Sequence, residues 1–257
     1  MVGTDQYFSK TLHKGLKVLS LFNEQKTVYT QTEIARTLDL NMTSTYRLTN
    51  TLVQLGYLTK DKESKRLRLG LGALALGATL VRTFDTHRMI RSLVDTVHEK
   101  HNISIDLVLV MGDLMTSVYR REAEETLVYR LPSVSRAWHT TSLGKAYLAF
   151  LPEEEAERDI RKLTLEARTP NSITSRRGLR EELARTRARG YAIANEEFLR
   201  GLLAIGAPII SPETGKPIGA VSFDFSTLQQ TVETMTRDYA GLLLELSRDL
   251  AKVITAK

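Results

Sequence analysis

Apolar residues recur at two spacings along this chain, every third or fourth position in some stretches and every second in others, and the switches between them mark its elements. Over residues 11–24, Leu12, Leu16, Val18, Leu19, Leu21 and Phe22 fit one face of a helix. Ile34, Ala35 and Leu38 define a second, short helix over about 31–37, and Thr30 with Glu33 three residues on makes a capping box at its start. A polar turn over 39–42 leads to a third helix beginning at Thr43 or Ser44, with Leu48, Leu52 and Leu55 expected inward. That helix stops at Gly56, a left-handed cap. Residues 57–60 and 66–69 then alternate around a turn at 61–65, as a two-stranded hairpin does. Together these elements predict a winged helix-turn-helix.

Residues 71–84 break the amphipathic rule. Leu71, Leu74, Leu76, Leu80, Val81 and Phe84 are interleaved with Gly72, Ala73, Ala75, Gly77 and Ala78, so more than one side of the helix is apolar and must be covered. A second copy of the chain is the simplest cover; the alternative is a core helix of a second domain. A helix over 86–101 follows, and then the period changes to two. Ile103, Ile105, Leu107 and Leu109 form one side of a strand that turns at Gly112 and Asp113 into 115–121. A third strand is expected at 127–131, helices at 142–151, 153–163 and 177–189, strands at 202–211 and 217–226, and a last helix over about 228–254. Strands flanked and interrupted by helices predict an α+β domain on one mostly antiparallel sheet. The expected division is residues 1–70 for the winged helix, 71–85 for a linker and dimerisation helix, and 86–257 for the second domain.

Charge sharpens the picture. The 257 residues carry a net +6, yet residues 1–75 hold 11 Lys and Arg against 6 Asp and Glu, and the rest is nearly balanced at 25 against 24. A polyanion is therefore expected to meet the first domain only. On the third helix Thr43, Ser44, Thr45, Tyr46, Arg47, Thr49, Asn50 and Thr51 offer hydroxyls, an amide and a guanidinium suited to phosphates and base edges, and Lys62, Lys65 and Arg66 on the hairpin are expected at phosphates. There is no Cys, which removes disulfides, thiolate metal sites and a cysteine nucleophile. No apolar run reaches membrane-spanning length and residues 1–10 lack a signal core, so a cytoplasmic protein is expected.

Catalytic motifs are weak. Ser142 and Lys145 spell S-x-x-K, but the S-D-N and K-T-G elements that accompany it in penicillin-binding enzymes are missing, and Ser142 reads better as a cap or ligand donor. His139 reads as structural or pocket-lining, since the five His show no metal spacing. Gly70, Gly72 and Gly77 do not open a dinucleotide fold. No cofactor is expected. A ligand-responsive regulator leads; a small-molecule hydrolase carrying a DNA-binding domain is the alternative, distinguished by turnover.

Several segments then fall into a known order. G-L-K-V-L-S-L-F at 15–22, T-E-I-A-R-T-L-D-L at 32–40, S-T-Y-R-L-T-N-T-L at 44–52, G-Y-L at 56–58, L-R-L-G at 67–70, H-T-T-S-L-G-K-A-Y-L-A-F-L-P at 139–152, R-A-R-G-Y-A at 187–192, N-E-E-F at 195–198 and G-A-P-I at 206–209 resemble the IclR family of bacterial transcriptional regulators over nearly the whole chain. The resemblance implies a winged helix-turn-helix, a linker helix and a C-terminal GAF-like domain that binds a small effector, working as a homodimer or dimer of dimers on a palindromic double-stranded operator, commonly in catabolic control. By position it implies an effector pocket at Ser142, Leu143, Ala194, Asn195, Ala204, Ser222 and Asp224. The family commonly has Cys where this chain has Ala204, and Ser where it has Asp224; both departures bear on the ligand.

Alternation along 218–226 places Ile218, Ala220, Ser222, Asp224 and Ser226 on one face and Gly219, Val221, Phe223 and Phe225 on the other. Ser222 and Asp224 are expected to share a concavity with Ser142 and Asn195. A carboxylate there disfavours an anion beside it and favours an amine, amide or hydroxyl donor, with Leu143 and Ala204 on the ligand's apolar part. The alternative is Asp224 tied to a nearby Arg or to backbone N–H groups.

Overall fold

Ser9 opens the first helix, α1 (Lys10–Leu19), by accepting the amide of Leu12, in a computed structural model that describes residues 7–23, 26–83, 85–112, 114–124, 134–135 and 138–255. The second helix, α2 (Gln31–Leu38), carries both halves of the capping box: the Thr30 hydroxyl accepts the Glu33 amide at 3.2 Å and the Glu33 carboxylate accepts the Thr30 amide at 2.7 Å. The Lys26 ammonium donates to the same carboxylate and, with the Thr30 hydrogen bonds, pulls its pKa down from 4.5 to about 2. Because the folded value is depressed, the contribution of Glu33 is present above the ordinary carboxylate range and is lost as pH falls through about 2. Thr30→Ala should cost about 1 kcal/mol of stability to chemical denaturation, as for other lost N-caps; no loss would mean that water replaces the cap.

Asp39 ends α2 in the left-handed region at φ 51°. Asn41 then caps α3 (Met42–Gln54) by accepting the Ser44 amide at 2.8 Å, so the helix starts a residue earlier than its pattern suggested. Strands β1 (Leu58–Lys60) and β2 (Leu67–Leu69) pair antiparallel with Thr59 opposite Arg68, and a bridge from Tyr29 to Leu67 ties the hairpin back. Val18, Phe22, Tyr29, Ile34, Leu58 and Leu67 form the core between helices and hairpin. The chain then enters α4 (Leu71–Thr83), where Leu71, Leu74 and Leu76 are 79%, 67% and 63% exposed. These elements belong to the first of two compact units, Met1–Phe84 and Asp85–Lys257.

The second unit begins with α5 (Asp85–His101), the hairpin β3 (Ser104–Met111) and β4 (Leu114–Arg121), and a short β5 (Val134–Ser135). Helices α6 (Ser142–Phe150), α7 (Glu153–Lys162) and α8 (Arg176–Arg189) follow, then β6 (Ala192–Asn195), β7 (Leu202–Ile210), β8 (Pro217–Ser226) and the 24-residue α9 (Val232–Thr255). The six strands form one antiparallel sheet in the order β5-β4-β3-β8-β7-β6. Ile105, Leu107, Ile205, Val221 and Phe223 face α5 and α9, and Ile218, at the outer end of β8, packs with this group. Ala192 and Ala220 join Leu143, Ala146, Leu148, Leu179 and Leu183 in a second core under α6 and α8. The strand expected at 127–131 lies outside the described residues, as does Phe84.

Candidate nucleic-acid interface and effector pocket

The phase of α3 decides what it can offer. Thr43, Tyr46 and Arg47 are exposed and Ser44 and Asn50 half-buried, which leaves one polar outward face. Thr45 departs from the expectation. It is fully buried, its hydroxyl donating to the Asn41 carbonyl at 3.0 Å, while Thr49, also buried, donates to the Thr45 carbonyl and accepts from the Gln31 side-chain amide at 2.6 Å. The two threonines share the inward stripe with Leu52, which packs against the core as expected, whereas Leu55 is 62% exposed. Thr45 therefore holds α3 in place and cannot reach a base.

On the hairpin, the Asp61 carboxylate accepts the Ser64 hydroxyl and amide, both at 2.7 Å, and the Glu63 amide at 3.2 Å. These bonds, the Ser64 hydroxyl first, hold its pKa below the ordinary value. Lys65 completes the turn with φ 57°. The knot presents Lys62, Lys65 and Arg66 to solvent while occupying one acid at the base of the turn. Lys60 lies 5.7 Å over the Tyr46 ring, joining hairpin to helix. An exposed polar helix face flanked by a basic hairpin matches a major groove and its phosphates.

In the second unit, Thr141 caps α6 by accepting the Gly144 amide at 3.1 Å. The helix start lies directly on β7: a Cβ at Gly206 would sit 2.7 Å from the Ser142 carbonyl carbon, so only glycine admits this approach. Ser142, Leu143, Ala194, Ala204, Ser222 and Asp224 line one cavity of about 20 Å³ together with Thr140 and Phe198. That is room for about one water, so the pocket is small. Asn195 does not join them. It is exposed and pairs in register with Leu203, which faces the α5/α9 core, and its carbonyl accepts from Asn171. Strand alternation from Ala194 turns Asn195 to the other side of the sheet.

Beside the pocket lies a charge cluster that local sequence reading did not find. The Ser222 hydroxyl donates to Asp224 at 3.0 Å; Arg120 Nη1 is 3.2 Å from Asp106 and 3.8 Å from Asp224; the Ser117 hydroxyl donates to Asp106 at 2.7 Å. Register brings these together, Asp106 standing opposite Ser222 on β8 and Arg120 on β4. Burial pushes the Asp106 carboxyl up, opposed by Arg120 and Ser117. The Arg expected as an alternative partner of Asp224 is thus present, at the long end of ion-pair distance.

Lys145, the last residue of the S-x-x-K pattern, is fully buried and donates to Glu197 at 2.6 Å and to the Ile193 carbonyl at 2.5 Å. His139 Nε2 donates to the Glu166 carbonyl at 3.0 Å, and burial holds its pKa below the ordinary value. Among the described residues no group of three His, Asp or Glu could hold a metal ion, and no helix is long and apolar enough to cross a membrane.

A winged helix-turn-helix with a basic hairpin, on the same chain as a sheet domain with a small, partly polar pocket, defines a ligand-responsive DNA-binding regulator. The family model for the IclR helix-turn-helix domain matches residues 11–62, and that for the bacterial transcriptional regulator IclR C-terminal domain matches residues 78–252. The chain belongs to the IclR family of bacterial transcriptional regulators, with a DNA-binding first domain and an effector-binding second one. It is 28% identical to the HTH-type transcriptional regulator BhcR of Paracoccus denitrificans over 94% of this chain and 86% of that one. An IclR regulator of Silicibacter sp. TM1040 has the same fold, with a TM-score of 0.84 at 23% identity over 96% of this chain and 97% of the other. An IclR homologue from Microbacterium hydrocarbonoxydans, complexed with 4-hydroxybenzoate, superposes with a TM-score of 0.71 at 23% identity, covering 96% of this chain and 100% of that one.

Proposed function

We propose that the chain works as a cytoplasmic dimer, or a dimer of dimers, that reads a palindromic operator and is controlled by a small organic effector in a catabolic setting. Residues 1–70 bind DNA, 71–85 link and dimerise, and 86–257 bind the effector. The outward face of α3, with Thr43, Ser44, Tyr46, Arg47 and Asn50, enters the major groove, and Lys62, Lys65 and Arg66 meet phosphates. The observation that carries this reading is the exposed face of Thr43, Tyr46 and Arg47 beside the basic hairpin. Dimerisation is supported by the exposed leucines of α4, an apolar surface that a second copy would cover. Ser142, Leu143, Ala194, Ala204, Ser222 and Asp224 form the effector site; the 4-hydroxybenzoate complex of the Microbacterium homologue supports a small organic molecule as its class of ligand.

No catalytic role is assigned. Lys145 is spent on Glu197 and Ile193, which supports binding over hydrolysis, and effector incubated with the protein should be recovered unchanged. Selection from a random duplex library should return an inverted repeat with half-sites about one or two helical turns apart, roughly 10 or 20 base pairs. Light scattering should give a dimer or larger at micromolar concentration. A monomer, or a pool without a repeat, would refute the reading.

A further inference from the structure

Gln31, the first residue of α2, stands where three elements of the DNA-binding domain meet. Its side-chain amide donates to the Thr49 hydroxyl on α3 at 2.6 Å, and its side-chain oxygen accepts the ammonium of Lys60, the last residue of β1, at 3.2 Å. The two partners fix which way the amide points. An ammonium only donates, so the Gln31 oxygen must face Lys60. The Thr49 hydroxyl gives its own proton to the Thr45 and Tyr46 carbonyls, at 2.8 and 3.2 Å, so toward Gln31 it accepts. The bridge needs a donor and an acceptor on one side chain, which a carboxylate, an ammonium or a thioether of this length does not have.

Lys60 differs from the other cations of the hairpin. Lys62, Lys65 and Arg66 are exposed on the turn, whereas Lys60 is half-buried at its foot, bonded to Gln31 and 5.7 Å over the Tyr46 ring. From Lys60 the chain passes straight into the turn, where the Asp61 amide donates to the Arg66 carbonyl at 2.9 Å. Gln31 therefore ties the foot of the basic turn to Thr49, which is buried in the middle of α3. Thr49 bonds on to the Thr45 carbonyl, and the Thr45 hydroxyl to the Asn41 carbonyl at the start of the helix. One run of hydrogen bonds thus joins hairpin, α2 and α3, and its lysine backs Tyr46 on the outward face.

We propose that Gln31 is a positioning residue that sets operator specificity without touching DNA, and that Lys60 serves Gln31 and Tyr46 rather than a phosphate. The proposal rests on the reading above in which α3 meets bases and the turn meets phosphates. Phosphate contacts fix register and orientation, and base contacts read the sequence. With turn and helix joined at Gln31, the phosphates gripped by Lys62, Lys65 and Arg66 decide which base edges Tyr46 and Arg47 meet. Freed from Gln31, the turn keeps its charge and its grip. The spacing between the two sets of contacts is then no longer fixed, so wrong sequences are penalised less.

The test uses the full-length protein, the operator recovered by selection and a shuffled duplex. Gln31→Met keeps the length of the side chain and loses both hydrogen bonds. It should bind the operator about tenfold less tightly, the effect of one mismatched base pair, with affinity for the shuffled duplex and the salt slope both at wild-type values. Lys60→Met should behave the same way and keep its slope although it removes a positive charge, and Lys60→Arg, which can still donate to Gln31, should retain discrimination. The double variant Gln31→Met with Lys60→Met should be no worse than either single one, because both break one bridge. Without DNA, amide hydrogen exchange over residues 57–69 should quicken several-fold in Gln31→Met while exchange over α1 is unchanged. A glutamine with a merely structural role would instead weaken both duplexes alike. That result, additive losses in the double variant, or a slope reduced by about one in Lys60→Met would overturn the proposal. A wild-type protein that selects no operator defeats the DNA reading, whereas unchanged exchange in Gln31→Met defeats the bridge itself, so the two failures are distinguishable.

Discussion

Arg47→Ala should weaken binding to the selected operator by about 1–3 kcal/mol and relax its base preference, whereas Lys62→Ala should weaken every sequence alike and reduce the salt slope by about one. The difference follows from where the two side chains stand. Arg47 projects from the face of α3 opposite the buried Thr45 and Thr49, so its guanidinium is the longest donor that the helix can carry into a groove. Lys62 stands on the turn knotted by Asp61, a place for meeting phosphates rather than base edges. Neither residue belongs to the domain core, so folding should be unchanged in both variants. Anisotropy titrations of operator and shuffled duplexes at several salt concentrations separate the two effects. Loss of specificity in Lys62→Ala, or a purely salt-dependent loss in Arg47→Ala, would reverse the assignment.

The first unit was legible because its signals are local. A capping box, a short polar turn, a glycine at φ 77° and one period of alternation lie within about forty residues of each other, and each element is present in the expected order, with α1 ending earlier and α3 starting earlier than their patterns put them. Thr45 and Thr49 misled because a hydroxyl reads as a surface group, yet in a helix it can return its hydrogen bond to the carbonyl four residues back and be buried. In the second unit, alternation along β8 correctly put Ser222 and Asp224 on the pocket face. Position in a resemblance then carried Asn195 too far, although alternation from Ala194 already turned it away. The Asp106 and Arg120 cluster was not legible at all. It depends on the pairing of three strands, two of them more than a hundred residues apart, and register is not written in any local pattern. The four residues of β6 were missed as well, being too short for period two to show.

Lys145 and Glu197 should carry the largest stability effect outside the hydrophobic cores. The lysine is fully buried and the carboxylate side chain only 10% exposed, and they meet at 2.6 Å. Burial disfavours both charges, holding the lysine pKa below and the carboxyl pKa above its ordinary value, while each partner opposes the other's shift. Removing one member leaves the other charged and unmatched, so Lys145→Met and Glu197→Gln should each cost about 3–5 kcal/mol in urea unfolding. The double variant Lys145→Met with Glu197→Gln should cost much less than the sum, because no charge is left behind. The pH dependence has a definite sign. Without Lys145, the Glu197 pKa is raised further, and stability held by the protonated acid is lost as pH rises through that value; the deficit of Lys145→Met should shrink at about pH 5 and grow at about pH 8. Single variants that each cost under about 1 kcal/mol would show that water reaches the pair. Lys145 stands one helical turn after Ser142, and Glu197 immediately precedes Phe198, both of which line the cavity, so the pair fixes two walls of the pocket relative to each other. Loosening it should therefore lower effector affinity as well as stability, and the double variant should recover the second more fully than the first.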